Sequence, residues 1–294
     1  MHILVTGGTG LIGTALCAAL VDQGCHLTVL SRSARDSSQG RTFITDLEQC
    51  VSPVDAVINL AGAGLADRRW TAGYKRTIAR SRIDLTQQLV SWIESQATRP
   101  KTLISASAIG YYGASQDDAF TEQGPPGTGF AADLCQRWEQ EALRAEALAV
   151  DVAVLRFGVV LASEGGALGK MTQSFRFGVE TWLGDGEQWL SWIHIDDVVR
   201  AIQFVLTADP RATTYNTTAP EPVTHRAFAH EVGRHSGSFL KMGVPSLAAR
   251  LLAGEMAEEL LLSGQRVLPQ ALIEQGFEFA YPTLPAALDH LLGQ

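Results

Sequence analysis

The chain has 294 residues, with 23 Lys or Arg against 31 Asp or Glu, a formal net charge of −8, and 46% hydrophobic residues. That composition excludes intrinsic disorder and suffices for one large α/β domain or a domain with an added lobe. The acidic balance leaves no basic footprint for nucleic acid or an anionic membrane as the main partner.

In chain order, His2 to Thr6 (HILVT) reads as a buried strand that ends in Gly7-Gly8-Thr9-Gly10. Apolar residues then recur at helical spacing from Leu11 to Gln23, and Gly24 stops the helix. Strands are expected at His26–Leu30, Asp55–Leu60, Lys101–Ser105 and Val152–Arg156, with helices at Arg76–Ser95 and Phe130–Leu148 between them. This alternation predicts an α/β fold, a Rossmann-type doubly wound parallel sheet covered on both faces. Periodicity weakens after about Gly165, returns for a strand and helix over Trp192–Leu206 and a short strand at Tyr215–Thr217, and is mostly helical from Pro222. The expected organisation is a dinucleotide domain over 1–164, to which 192–218 returns. A smaller, mostly helical lobe is expected over 165–191 and 219–294, closing on the carboxyl edge of the sheet.

The N-terminus has no basic region of a signal peptide, and no stretch reaches the ~20 apolar residues of a membrane span. Four cysteines without a CxxC pair read as reduced thiols. A cytoplasmic protein without a membrane partner is expected, and a homodimer is admissible.

Glycine numbers 28, roughly 9.5% of the chain against the usual ~7%, and the surplus is concentrated in turns. Gly7, Gly10 and Gly13 stand at G-x-x-G-x-x-G spacing, after a strand and at the opening of a helix. There a tight turn, backbone approach to a pyrophosphate and close helix–strand packing all require glycine. Thr9, Leu11 and Ile12 belong to the same turn. At the end of the second strand, where an NAD-binding unit would carry an acid, the chain has Ser31 and Arg32, with no acid until Asp36. A guanidinium and two hydroxyls (Ser31, Ser33) suit a 2′-phosphate, so NADP(H) is the expected cofactor. A solvated surface arginine is the alternative reading of Arg32.

These motifs resemble the short-chain dehydrogenase/reductase superfamily, in its extended, nucleotide-sugar-epimerase-like branch. VTGGTGLIG (Val5–Gly13), Asp46-Leu47, Asn59–Gly62, Ser105-Ala106-Ser107, Leu155–Gly158 and WIHIDD (Trp192–Asp197) carry the resemblance. RW…YKR…SRI (Arg69–Ile83), SAIGYYG (Ser107–Gly113) and SGQRVLP (Ser263–Pro269) narrow it to the "epimerase family" group with a short C-terminal domain of unknown role. The resemblance implies adenine-side contacts at Asp46 and Leu47, and further cofactor contacts at Leu60, Ala61, Gly62, Ser105, Phe157 and Gly158. Arg82 falls near a position where relatives carry an active-site Asn. It is placed with the cofactor site, where it would hold a carboxylate or phosphate of a substrate, the alternative being a helix-surface charge.

The superfamily's Tyr-x-x-x-Lys pair is absent. None of the five tyrosines has a lysine four residues on, and the expected helix offers Phe130/Leu134 or Ala131/Cys135 instead. Ser107 stands where the family's Ser or Thr hydrogen-bonds a substrate carbonyl, with Tyr111 and Tyr112 the phenols at hand. Cys135 reads as an inert buried thiol, and His194 and Asp197 as structural. His225, His230 and His235 recur every five residues, which turns successive imidazoles by about 140° on a helix. No metal site is expected there. Trp182, Trp189 and Trp192 line a pocket for a flat or apolar substrate or pack the core. Two functions remain open: an NADP(H)-dependent oxidoreductase or epimerase-like enzyme on an unidentified small carbonyl or sugar-type molecule, and a non-catalytic NADP(H)-binding redox sensor.

Overall fold

The computed structural model describes residues 1–38, 40–209 and 211–293. Seven parallel strands form the central sheet among them: β1 (His2–Thr6), β2 (His26–Leu30), β3 (Arg41–Ile44), β4 (Ala56–Asn59), β5 (Thr102–Ala108), β6 (Asp151–Phe157) and β7 (Thr214–Thr217). Their spatial order is β7-β6-β5-β4-β1-β2-β3. The chain therefore winds outward from β1 in one direction and, after β3, from β4 in the other. A crevice opens at the carboxyl ends of β1 and β4, where doubly wound sheets hold ligands. The strands are nearly continuous apolar runs because both faces are covered. Ile3, Val5, Leu27, Val29, Ile58 and Ile104 are fully buried on one face with the helix α1 (Leu11–Asp22), while Leu4, Val57 and Leu103 pack on the other.

Three expectations change. The strand β3 carried no periodic signal, because Arg-Thr-Phe-Ile is a four-residue edge strand stabilised by its pairing with β2. The single helix expected over Arg76–Ser95 is two helices, α2 (Ala72–Arg80) and α3 (Ile83–Ser95). No Gly or Pro breaks it; side chains do. The Ser81 hydroxyl accepts from the backbone N–H of Ala63 at 2.9 Å and donates to Ile78 O, and Arg82 Nη1 donates to Ala63 O at 3.0 Å. Finally, the C-terminal region is less helical than expected: Leu240–Val244 is a strand, paired in parallel with Val179–Leu183.

The helix α4 (Phe130–Leu143) lies beside α3, and α5 (Gly166–Met171) stands near the glycine turn, where a side chain on Gly166 would meet Leu11. The helix α6 (Ile195–Thr207) packs on α1. Asp197, fully buried, accepts the backbone N–H groups of Ala280 and Tyr281, both at 2.8 Å, and so ties the tail of the chain to α6. The lobe comprises α7 (His225–Ser236), α8 (Ser246–Ala253), α9 (Glu255–Leu260), α10 (Gln270–Glu274) and α11 (Leu284–Leu292) with the short strands. Among the described residues no helix is long and apolar enough to cross a membrane.

Candidate active site

The turn between β1 and α1 is built as its glycines demand. Gly7 adopts φ +70, and a Cβ there would lie 2.6 Å from the Leu60 carbonyl carbon at the end of β4. A Cβ on Gly13 would lie 2.2 Å from Gly7 O, so helix and turn touch backbone to backbone. Gly10 is the N-cap of α1 and supplies no side-chain cap, which leaves the first-turn N–H groups and the positive end of the helix dipole facing the crevice. These are the features a pyrophosphate uses. Thr9 is exposed beside the turn.

Beneath the turn, the Thr6 hydroxyl donates to Asn59 Oδ1 (2.7 Å), and Asn59 Nδ2 donates to Thr86 (2.8 Å) and Ser105 (3.2 Å). Trp138 Nε1 donates to the same Thr86 hydroxyl at 3.0 Å. Ser105 thus sits inside a buried network that locks β1, β4, β5, α3 and α4 together under the crevice. Arg32 is exposed at the end of β2, next to the buried Ser31, with no ion-pair partner among the described residues. Asp46 is engaged locally: its side chain accepts from Glu48 N at 2.9 Å in a capping box with Gln49, ahead of Leu47.

The crevice runs on into a cavity of about 800 Å³ lined by Leu11, Ile12, Leu60, Ala61, Gly62, Arg82, Ser107, Cys135, Phe157 and Gly158 from the sheet side. The lobe adds Trp182, Trp189, His225, Met256 and Glu259, among others. One cavity therefore gathers Ser107 and the later cofactor-side residues read from the sequence, while Gly7, Thr9, Gly10, Gly13, Ser31, Arg32, Asp46, Leu47 and Ser105 lie outside its lining. Trp192 is not among them; it is fully buried in the lobe core, and its indole N–H donates to Glu221 O.

Arg82 is only 9% exposed, and its guanidinium stacks 5.2 Å from the Trp138 ring. Nη1 is used by Ala63, Ile78 and Ser81, and no carboxylate pairs with it among the described residues. Burial pulls its pKa below the usual arginine value. A buried, unpaired guanidinium in a cleft is costly unless a ligand anion joins it.

The candidate catalytic hydroxyls are placed differently. Ser107 reaches the cavity, but its hydroxyl donates to Glu139 Oε1 at 2.5 Å. Glu139 is buried and held by Arg156 Nε (2.9 Å) and Nη2 (2.8 Å). Arg156 Nη1 donates to the Tyr112 hydroxyl (2.8 Å), which in turn donates to Asn216 Oδ1 (2.7 Å). Burial, only partly offset by Arg156 and Asn216, pushes the Tyr112 phenol up to about 12. Tyr112 is 3% exposed and does not line the cavity. Neither does Tyr111, whose ring lies 3.4 Å below the Arg156 guanidinium. Burial, with the nearby Glu139 charge, pushes the Cys135 thiol up to about 11, far from a reactive thiolate.

Sequence reasoning missed Glu139, Arg156, Lys170 and Glu259. A charge within VAVLRF and another on the buried face of α4 were the available signal for the first pair, since buried charges come paired. Glu259 reaches from α9 to cap α4, its two oxygens accepting from Phe130 N (3.0 Å) and Ala131 N (2.8 Å). The histidines of α7 diverge: His225 lines the cavity, His230 is exposed near Glu180, and His235 lies near Glu231 and Asp289. A separate trio, His194, Asp196 and His290, brings its ligand-type atoms within 4.8 Å of one another. There His194 Nδ1 accepts from Asp196 N and Nε2 meets His290 Nδ1, so both nitrogens serve the helix cap and the docking of α11.

The "NAD dependent epimerase/dehydratase family" model matches residues 3–217. The chain belongs to this family. Residues 244–291 match a second model, "Domain of unknown function (DUF1731)", as the resemblance to the epimerase family group implied. An "Epimerase family protein" of Staphylococcus saprophyticus is 38% identical, covering 99% of each chain. The crystal structure of a human epimerase family protein with NADPH is 31% identical over the whole of both chains, with a TM-score of 0.92. A UDP-glucuronic acid 4-epimerase of Bacillus cereus, solved with UDP-glucuronic acid and NAD, shares the fold (TM-score 0.81) at 18% identity.

Proposed function

We propose that this family member binds NADP(H) between the glycine turn and Arg32 and works as an oxidoreductase on a small carbonyl compound. The observation that carries the reading is shared lining: Leu11 and Ile12, at the opening of α1, and Leu60, Ala61 and Gly62 line the same mostly apolar cavity as the lobe residues Trp182, Trp189 and His225. Gly7, Thr9, Gly10, Leu11, Ile12 and Gly13 would take the pyrophosphate, and Ser31 with Arg32 the 2′-phosphate, as charge-assisted bonds favour. Leu47 beside Asp46 would border the adenine, and Leu60, Ala61 and Gly62 the adenosine ribose. Arg82, Phe157 and Gly158 would continue toward the nicotinamide, with Ser105 supporting them from the network below. The NADPH in the human relative's crystal structure supports the choice of cofactor. When bound, it supplies a hydride to a carbonyl carbon, and the oxygen takes a proton from solvent or a neighbouring donor. Four free thiols support a cytoplasmic setting.

One observation favours a second reading, a non-catalytic NADP(H) sensor. The hydroxyls of Ser107 and Tyr112 are spent on Glu139 and Asn216, so neither stands free as a proton donor. Two measurements separate the readings. Titration with NADPH and NADH should show a clear NADPH preference; NADH binding as tightly removes the Arg32 argument. NADPH oxidation across aldehydes, ketones and quinones should rise above background for at least one class. A flat panel, with NADPH binding intact, decides for the sensor.

A further inference from the structure

Charge along the cavity is unevenly divided. Its two cations stand on the sheet side or bear on it: Arg82 packs against the Gly62 backbone, and Lys170 reaches Ala66 O at 3.2 Å and Asp67 at 3.3 Å. The rest of the lobe wall, running through 181–183, 189–191, 225 and 256–265, contributes no Lys or Arg to the lining. Its one carboxylate is Glu259. Helix N-termini are the other common source of anion sites, and here the N-terminus of α4 is already filled by that same carboxylate. At the start of α7 the Thr224 hydroxyl accepts from Ala227 N, and His225 N and Arg226 N donate to Gln188 O and Gly186 O.

The broadest surfaces of this wall are apolar and flat. Trp182 and Trp189 each carry a guanidinium over the ring, Arg226 at 5.4 Å and Arg266 at 5.1 Å, and both indoles line the cavity. The Trp189 indole N–H is tied to Gln116 O at 2.9 Å, which fixes the ring. Of the polar side chains on this wall, Thr181, Ser191 and Ser263 already hydrogen-bond within the protein, which leaves Gln265 and His225. The Nδ1 of His225 is buried without a partner, and Nε2 makes no hydrogen bond to protein among the described residues. Burial lowers its pKa, so near neutral pH the imidazole offers a hydrogen bond and no charge.

We propose that the lobe side of the cavity takes a flat, uncharged, largely apolar compound with one carbonyl or hydroxyl aimed at His225, and rejects nucleoside-diphosphate sugars. The proposal rests on the reading that the sheet side holds NADP(H), which commits Arg82 and the glycine turn to the cofactor. A diphosphate brought to the lobe side would meet Glu259 with no Lys or Arg of that wall in the lining, Arg226 and Arg266 being turned onto the indoles outside it, whereas a two-ring ketone would lie against the indoles and bond to one imidazole.

The test uses binding to the full chain, so it does not depend on turnover. NADP+ binding is measured first by calorimetry, which by itself decides the cofactor reading. With NADP+ saturating, saturation-transfer NMR is run with 2-acetonaphthone, with naphthalene, which lacks the acceptor, and with UDP-glucose. The ketone should give saturable transfer and UDP-glucose none up to about 5 mM. His225→Phe should weaken the ketone about tenfold, the size of one hydrogen bond, and leave naphthalene within about twofold. Trp182→Ala should weaken both aromatic probes, with unchanged NADP+ affinity reporting that the variant is folded. UDP-glucose binding below about 1 mM, failure of the ketone to bind the loaded protein, or an equal loss for ketone and naphthalene in His225→Phe overturns the proposal.

Discussion

The sheet wall and the lobe wall meet in one cavity but are held by different physics. On the sheet side, strand ends are fixed by ladders of parallel hydrogen bonds and by buried chains of polar groups, from Thr6 through Asn59 to Thr86 and from Ser107 through Glu139 and Arg156 to Asn216. The exceptions face the crevice: Arg32, Arg82 and the first-turn N–H groups of α1 have no anionic partner among the described residues. The lobe wall stands on two-residue strands and helices as short as six residues. It is joined to the sheet side by a few polar contacts such as Lys75–Glu255 and Glu259 on α4. A braced wall with a few free cationic donors gives fixed geometry for an anion, and a less braced wall gives room for recognition. On the function proposed above, the cofactor would be held by the first and the substrate chosen by the second.

The comparison breaks most sharply at Glu139. Glu139→Ala leaves Arg156 charged, buried and unpaired, which should cost about 3–5 kcal/mol, read from urea unfolding. A loss below about 1 kcal/mol would mean that the network does not hold the sheet wall. Arg32→Ala should raise the Kd for NADPH about ten- to hundredfold, as expected for bonds to a charged group, and leave NADH unchanged in a parallel titration. On the lobe side, Lys75→Ala removes a pair whose side chains are 27% and 44% exposed, so global stability should move by about 0–1 kcal/mol at most. Hydrogen exchange over 246–263 should nevertheless quicken, and no change there would show that this contact does not clamp the lobe.

Acidification gives the gentlest effect. Burial lowers the pKa of His194 in the fold, with Asp196 and Asp197 opposing and His290 adding to the shift. A group depressed in the native state contributes stability that is complete above its unfolded value of about 6.5 and is lost as pH falls through the folded value. Below pH 6.5, Tm should therefore decline, and His194→Asn, which keeps a capping oxygen, should flatten that slope. An identical slope in the variant would place the sensitivity elsewhere.

The sheet wall was largely legible in the chain because its signals are local. Gly7, Gly10 and Gly13, the apolar strands and the acid-free end of β2 each lie within a few residues of what they determine. Ser107 was found by position, but its partner was not, since Glu139 is 32 residues away on another element. The break at Arg82 left no trace either, because it depends on Ala63 lying opposite rather than on a helix breaker. The lobe was least legible: the strand Leu240–Val244 exists through pairing with residues some sixty positions earlier, and neither Glu259 nor His225 shows from its neighbours that it faces the cavity.

The capping of α4 by Glu259 also bears on synthesis. A helix that starts at residue 130 receives its N-terminal acceptor from residue 259, and the β7 residue Asn216 closes the chain that begins at Ser107. The sheet edge is complete by residue 217, so this one helix end is what depends on the lobe: Phe130 N and Ala131 N lack their side-chain acceptor until residue 259 is in place. The two family models divide the chain between residues 217 and 244, yet this contact crosses the division, and a cut there would leave the start of α4 without its acceptor.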